Sequence, residues 1–159
     1  MQEGGEKRMR RRWLAVLLAP LLLAAKPCGL IPGGALEGPV ASAPADWQIF
    51  EGTSPCQLEL RFADPHSVNV NCQVVGGRLY VHSYHGARKR WTAMAEADPD
   101  VRVLLAGQVY ELRAIRITDA EERRRVLAAD AGEPSESTWL YRLDPRLGTR
   151  PPAVSTDFD

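Results

Sequence analysis

Between residues 57 and 81 apolar and polar side chains alternate with a period of two, and this restricts the fold more than any other feature of the 159-residue chain. Leu58, Leu60 and Phe62 alternate with Gln57, Glu59 and Arg61, and Val68, Val70 and Val74 alternate with Asn69, Asn71 and Gln73. Successive side chains of a strand point to opposite faces, so these runs predict strands with one face buried and one wet. Ala63-Asp64-Pro65 supplies a short turn between the first two runs. Gly76-Gly77 before Arg78–Val81 predicts a hairpin, because paired glycines accept the positive φ of a tight two-residue loop. A second hairpin joins the run from Val101 to the run from Val109 through Gly107-Gln108, and further strands are expected at Trp47–Phe50 and Thr138–Leu143. Two helices interrupt the pattern. Lys89–Ala97 is made of helix formers and stops at Asp98-Pro99. Thr118-Asp119-Ala120-Glu121 reads as a capping box with Thr118 as N-cap, opening a helix to Ala129 that turns Val126 and Leu127 to one side. Five to seven strands with two short helices make a mainly β, α+β domain, a small barrel or packed sheet. Closure into a barrel would hide its strand edges.

The first 31 residues follow different rules. Arg10, Arg11 and Arg12 precede an uncharged apolar run from Trp13 to Ala25. Such a run gains by entering lipid, while the arginines resist crossing. Its length suits a signal-peptide core; continued to Ile31, with Lys26 snorkelling, it suits a retained anchor, and both readings stand. Either one exports the protein and brings it to a membrane. Cys28 lacks the small residues that lipid attachment needs before it, since Lys26 and Pro27 stand there. Residues 32–45, rich in Pro, Gly and Ala, read as a linker, residues 46–144 as the domain, and residues 145–159 as an unstructured tail.

The balanced formal charge conceals an uneven distribution. Residues 1–26 hold six of the twenty basic residues and two of the twenty acidic ones, leaving 14 against 18 for the rest. A mildly acidic domain offers no electrostatic reason to bind nucleic acid. With a turn centred on Asp64, Cys56 and Cys72 become direct cross-strand neighbours on the buried parity. They form a disulfide in an oxidising compartment, or else fill the core as free thiols. His66, His82 and His85 show no metal-ligand spacing, and no nucleophile motif is present.

The densest polar and aromatic stretch is Tyr80 to Trp91, YVHSYHGARKRW, running from a strand end through a glycine-containing turn into a helix start. Backbone N–H groups at a helix N-terminus favour an anion, and Arg88, Lys89 and Arg90 add charge. The alternative is a solvated basic loop with Trp91 as a core anchor.

The residues from Gly76 to Arg125 resemble the second half of the split β-barrel of deazaflavin-dependent nitroreductases and pyridoxamine 5'-phosphate oxidase-like FMN proteins. The resemblance is carried by the strand read as Leu79-Tyr80-Val81, by Ser83 and Gly86 in the loop, and by a basic residue before Trp91. Ala97-Asp98-Pro99 and Gly107 with Tyr110 and Ala114 follow in the same order. It implies a split barrel, often a homodimer, with FMN or a deazaflavin in a cleft. Ser83, Gly86, Lys89 and Arg90 would contact phosphate, and Trp91 would lie near the ring. The implied activity is that of an oxidoreductase acting on a quinone-like or nitroaromatic acceptor outside the cytoplasm. The alternative is a non-enzymatic envelope module that keeps the barrel. ADPHSV stands where the family has an Arg-Ser-Gly-x-x-Arg type loop, and Met94-Ala95 where it has Asn-Leu.

Overall fold

The computed structural model describes residues 32–52, 55–129 and 135–146. The expectations for the leader, Cys28 and the tail beyond Arg146 lie outside these residues. In chain order the strands and helices are β1 (Val40–Ala41), β2 (Cys56–Leu60), β3 (His66–Val70), β4 (Cys72–Val75), β5 (Arg78–Ser83), α1 (Arg90–Ala97), β6 (Asp100–Leu105), β7 (Gln108–Arg116), α2 (Ala120–Leu127) and β8 (Trp139–Pro145).

Turn chemistry sets the registers. Gly76 and Gly77, at φ 58° and 72°, join β4 to β5 as expected. In the second hairpin Leu105 already pairs with Gln108, so the loop is Ala106-Gly107 rather than Gly107-Gln108. Both loop residues take positive φ, which a tight two-residue turn demands even of an alanine. Pairing runs β3-β2-β6-β7-β8-β5-β4, with β1 added parallel to β7 and all other pairs antiparallel. The two ends of this path, β3 and β4, are consecutive in the chain and separated by Asn71 alone. The sheet therefore curls into a barrel rather than lying flat.

Four further expectations change in physical detail. Trp47–Phe50 is a 3₁₀ turn, not a strand, because Asp46 caps it by accepting from the Gln48 N–H at 2.8 Å. Its three-residue period brings Trp47 and Phe50 together on Tyr110, with ring centroids at 5.1 and 5.9 Å. The N-cap of α2 is Asp119 rather than Thr118, its carboxylate accepting from Glu122 N–H at 2.8 Å. Glu122 then turns away from the cap to Tyr80 and Arg142, at 2.9 and 3.0 Å. The β2–β3 register pairs Cys56 with Val70, which centres the turn on Ala63. Cys56 and Cys72 are bonded all the same, 5.7 Å apart at Cα, across the corner from β2 to β4 instead of along one hairpin.

The fourth change concerns β2, which is buried on both faces rather than one. Residues 33–41, within the stretch whose composition reads as a linker, are laid across the outside of the barrel. Gly33 pairs with Ser67, Leu36 is buried, and Pro39 accepts from Val109 N–H at 2.9 Å. This strap covers Glu59, which has no exposed surface. One carboxylate oxygen of Glu59 accepts from Arg102 Nε at 2.9 Å and from its Nη2, and the other accepts from the Leu36 N–H. Inside the barrel, Leu58, Leu60, Leu79, Val81, Val101, Val103, Leu112 and Leu143 form the core. A smaller cluster of Tyr80, Ile117, Val126, Leu127 and Leu140 includes the two apolar residues of α2 predicted to share a side. Among the described residues no helix is long and apolar enough to cross a membrane.

Candidate functional site

The β4–β5 ladder ends at the pair Cys72–Val81, and beyond it the two chains separate. A continued register would set residues 68–71 against residues 82–85. Instead those two stretches line the walls of a cleft of about 420 Å³, with Lys89 and Trp91 completing it. That volume lies within the range of about 300–1,000 Å³ usual for small-molecule sites. The disulfide sits at the closed end: Cys72 forms the last rung, and Cys56 pairs with Val70 of the opposite wall.

Ser83 ends β5 and is 6% exposed, and its hydroxyl has no hydrogen-bond partner among the described residues. A buried hydroxyl left in that state costs free energy unless something outside the chain satisfies it. Lys89 stands at the N-cap of α1, exposed and without a side-chain capping bond. His82, Tyr84 and His85 belong to the same wall, with the His82 and Tyr84 rings edge-on at 4.8 Å. Among the described residues no carboxylate lines the cleft. A cavity with a lysine, two histidines, a buried hydroxyl and no acid is suited to an anion.

Of the five residues singled out by the sequence, the structure brings Ser83, Lys89 and Trp91 to the cleft and leaves Gly86 and Arg90 outside its lining. Trp91 is mostly buried, 5.6 Å from the Tyr141 ring. It is therefore both a core anchor and part of the cleft. Burial, and next a 2.9 Å hydrogen bond to Glu96, hold the Tyr141 phenol far above its ordinary pKa, so it remains a donor. Arg88 and Arg90 are exposed.

Gly86 does a different job from the one expected. Its N–H donates to Ser137 O at 3.0 Å, and its carbonyl accepts from the Thr92 hydroxyl. A Cβ at this position would lie 1.9 Å from Cγ of Trp139. The glycine is thus required by close packing rather than by a positive φ. Ser137 also donates to Tyr84 O at 2.8 Å, so the approach to β8 buttresses the whole loop. Gly86→Ala is expected to destabilise the protein by about 2 kcal/mol, the usual cost of forcing a methyl into a packed site. Urea denaturation checks this, and a loss below ~0.5 kcal/mol would mean that Trp139 yields freely.

The opposite wall, residues 68–71, was missed by sequence reasoning as part of a site. Its signal was the register itself: the hairpin at Gly76-Gly77, extended past Cys72, predicts that these residues face residues 82–85. What the sequence does not show is that the ladder parts there.

No family model and no curated sequence matches the chain. Solved structures do. A protein of Listeria innocua provisionally assigned as a pyridoxamine 5'-phosphate oxidase is 21% identical over 63% of this chain and 90% of its own, with a TM-score of 0.51. An FAD-binding protein of Mesorhizobium loti is 15% identical over 63% of this chain and 86% of its own, at 0.49. A Bacteroides thetaiotaomicron protein provisionally assigned to 5-nitroimidazole antibiotic resistance is 16% identical over 63% and 80%, at 0.47. The likeness to the Listeria protein shows the fold: this domain is a split barrel of the pyridoxamine 5'-phosphate oxidase type, as the resemblance in the sequence implied.

Proposed function

We propose that the cleft binds a flavin-type cofactor, FMN or a deazaflavin, through its phosphate, and that the protein is an oxidoreductase of the split-barrel kind. The observation that carries this reading is the buried hydroxyl of Ser83, unpartnered among the described residues, in a cleft where these residues place Lys89 and no carboxylate. These residues fit a phosphate: the hydroxyl donates one bond and the ammonium a charge-assisted one. Val68, Val70 and Trp91 offer apolar surface for a ring system. The bound cofactor would supply hydride transfer, while the chain's own part is to hold it, orient it and exclude water. A quinone-like or nitroaromatic acceptor is the substrate class in keeping with the fold resemblance. The leader and the Cys56–Cys72 bond together support work outside the cytoplasm, where a disulfide persists.

One observation favours a second reading, a binding module without redox chemistry. Of the three neighbouring cations only Lys89 lines the cleft, and the Gly86 N–H is already committed to Ser137. Titration decides between them. The full chain, purified in mild detergent, should bind FMN or a deazaflavin with micromolar affinity. Ser83→Ala and Lys89→Ala should each weaken binding roughly tenfold, the worth of one charge-assisted hydrogen bond, and Arg90→Ala should change it little. Absence of binding by either cofactor up to about millimolar, worth only ~4 kcal/mol, would retire the cofactor reading.

A further inference from the structure

Arg116 closes β7, outside the cleft, yet its contacts converge on the segment that carries Lys89. Its guanidinium lies 3.5 Å from the centre of the Trp139 ring. Its Nη1 stands 3.7 Å from the carboxylate of Glu96, near the C-terminal end of α1. Trp139 in turn abuts Gly86 so closely that a methyl there would overlap the indole. The position of the ring therefore dictates the position of Gly86, the first residue of the 3₁₀ turn Gly86–Arg88 that leads to Lys89. Thr92, on α1, bonds back to the carbonyls of Gly86 and Lys89, the latter at 2.6 Å, so turn and helix move as a unit. Arg116 touches this unit at both ends, through Trp139 at its start and Glu96 near its finish.

Next to the stack lies a second hollow of about 320 Å³, lined by Arg116, Thr118, Arg123, Glu136, Thr138 and Trp139. An indole released from its cation has room to turn into that space. The ion pair to Glu96 is weak by itself, since both side chains are at least a third exposed. The leverage of Arg116 comes from the stack, which holds by attraction the orientation of an indole packed directly against a glycine.

We infer that Arg116 is a positioning residue for the cleft: it holds the 3₁₀ turn and α1 so that Lys89 stays on the rim beside Ser83. Where it concerns affinity, this rests on the reading of the cleft as an anion site. Arg116 is not among the described residues that line the cleft, so its effect on a ligand passes through Trp139, Gly86 and α1.

The test uses the full chain, wild type, Arg116→Met and Arg116→Lys, with FMN and inorganic pyrophosphate as probes in calorimetric titrations. Fluorine NMR of 5-fluorotryptophan-labelled protein follows Trp139, and amide shifts follow Gly86 and Lys89 without any ligand. Arg116→Met should keep its far-ultraviolet circular dichroism and bind both probes roughly tenfold more weakly. Its Trp139 resonance should shift or broaden, and the Gly86 and Lys89 amides should move. Arg116→Lys, which keeps the cation, should recover most of the affinity and the Trp139 signal; a structural role alone would not distinguish the two replacements in this way. Unchanged affinity in Arg116→Met, with wild type binding normally, overturns the inference. If wild type binds neither probe, the anion-site reading fails by itself, and the NMR then decides whether Arg116 positions the segment. Stationary amides at Gly86 and Lys89, or a methionine variant that is globally unfolded while the lysine variant is too, would show that it does not.

Discussion

Arg102→Met is expected to destabilise the protein by about 3–5 kcal/mol, the range found when one partner of a buried ion pair is removed and the other stays. Glu59 has no exposed surface, and Arg102 is its only cationic partner among the described residues, so the variant leaves a carboxylate in the interior without counter-charge. The partial exposure of Arg102, 24% at the side chain, places the result toward the lower end of that range. Urea titrations of wild type and variant measure the loss. A deficit under ~1 kcal/mol would show that water reaches Glu59 despite the strap. The double replacement Glu59→Leu/Arg102→Met, which removes both charges, should lie much nearer wild type.

Glu59 also shows where sequence reasoning reached its limit. Its parity in β2 is that of Gln57 and Arg61, and a period of two correctly identifies the strand and its inner face, Cys56, Leu58 and Leu60. It assigns the other face to water because alternation encodes the side chain's direction, not what is laid over it. The covering strap is Pro- and Gly-rich and has almost no period to read; only Val40 and Ala41 form a strand, parallel to β7. The hairpins, α1, α2 and β8 were legible because turn glycines, Pro99 and local caps act within a few residues. The site was legible on one wall, from Ser83 to Trp91, where strand end, loop and helix start are contiguous. Its second wall, residues 68–71, is placed opposite by the hairpin register, but that the ladder parts there and leaves a cleft is a tertiary fact. A glycine pressed on Trp139 and a glycine approached by phosphate look the same in one dimension.

Removing the disulfide with Cys56→Ala/Cys72→Ala is expected to cost about 3 kcal/mol, because the bond closes a short loop and withdraws entropy from the unfolded chain. The two residues are 16 apart in sequence, which sets that estimate, and both side chains are buried, so small apolar replacements leave little unsatisfied. For a domain of this size the melting temperature should fall by roughly 15 °C. Thermal melts of the double variant and of wild type heated with dithiothreitol should agree, since each lacks the same link. The position of the bond predicts more than a loss of stability. It joins β2 to the last rung before the walls of the cleft diverge, so it holds residues 68–71 at their distance from residues 82–85. In the double variant, below its melting temperature, FMN affinity should therefore fall while circular dichroism stays as in wild type. A melting point within about 3 °C of wild type would show that the corner at Asn71 holds its shape without the link. Full FMN affinity in a clearly destabilised variant would separate the two roles, leaving the bond as a staple for the barrel and the cleft shaped by the packing of Val68 and Val70 against the core.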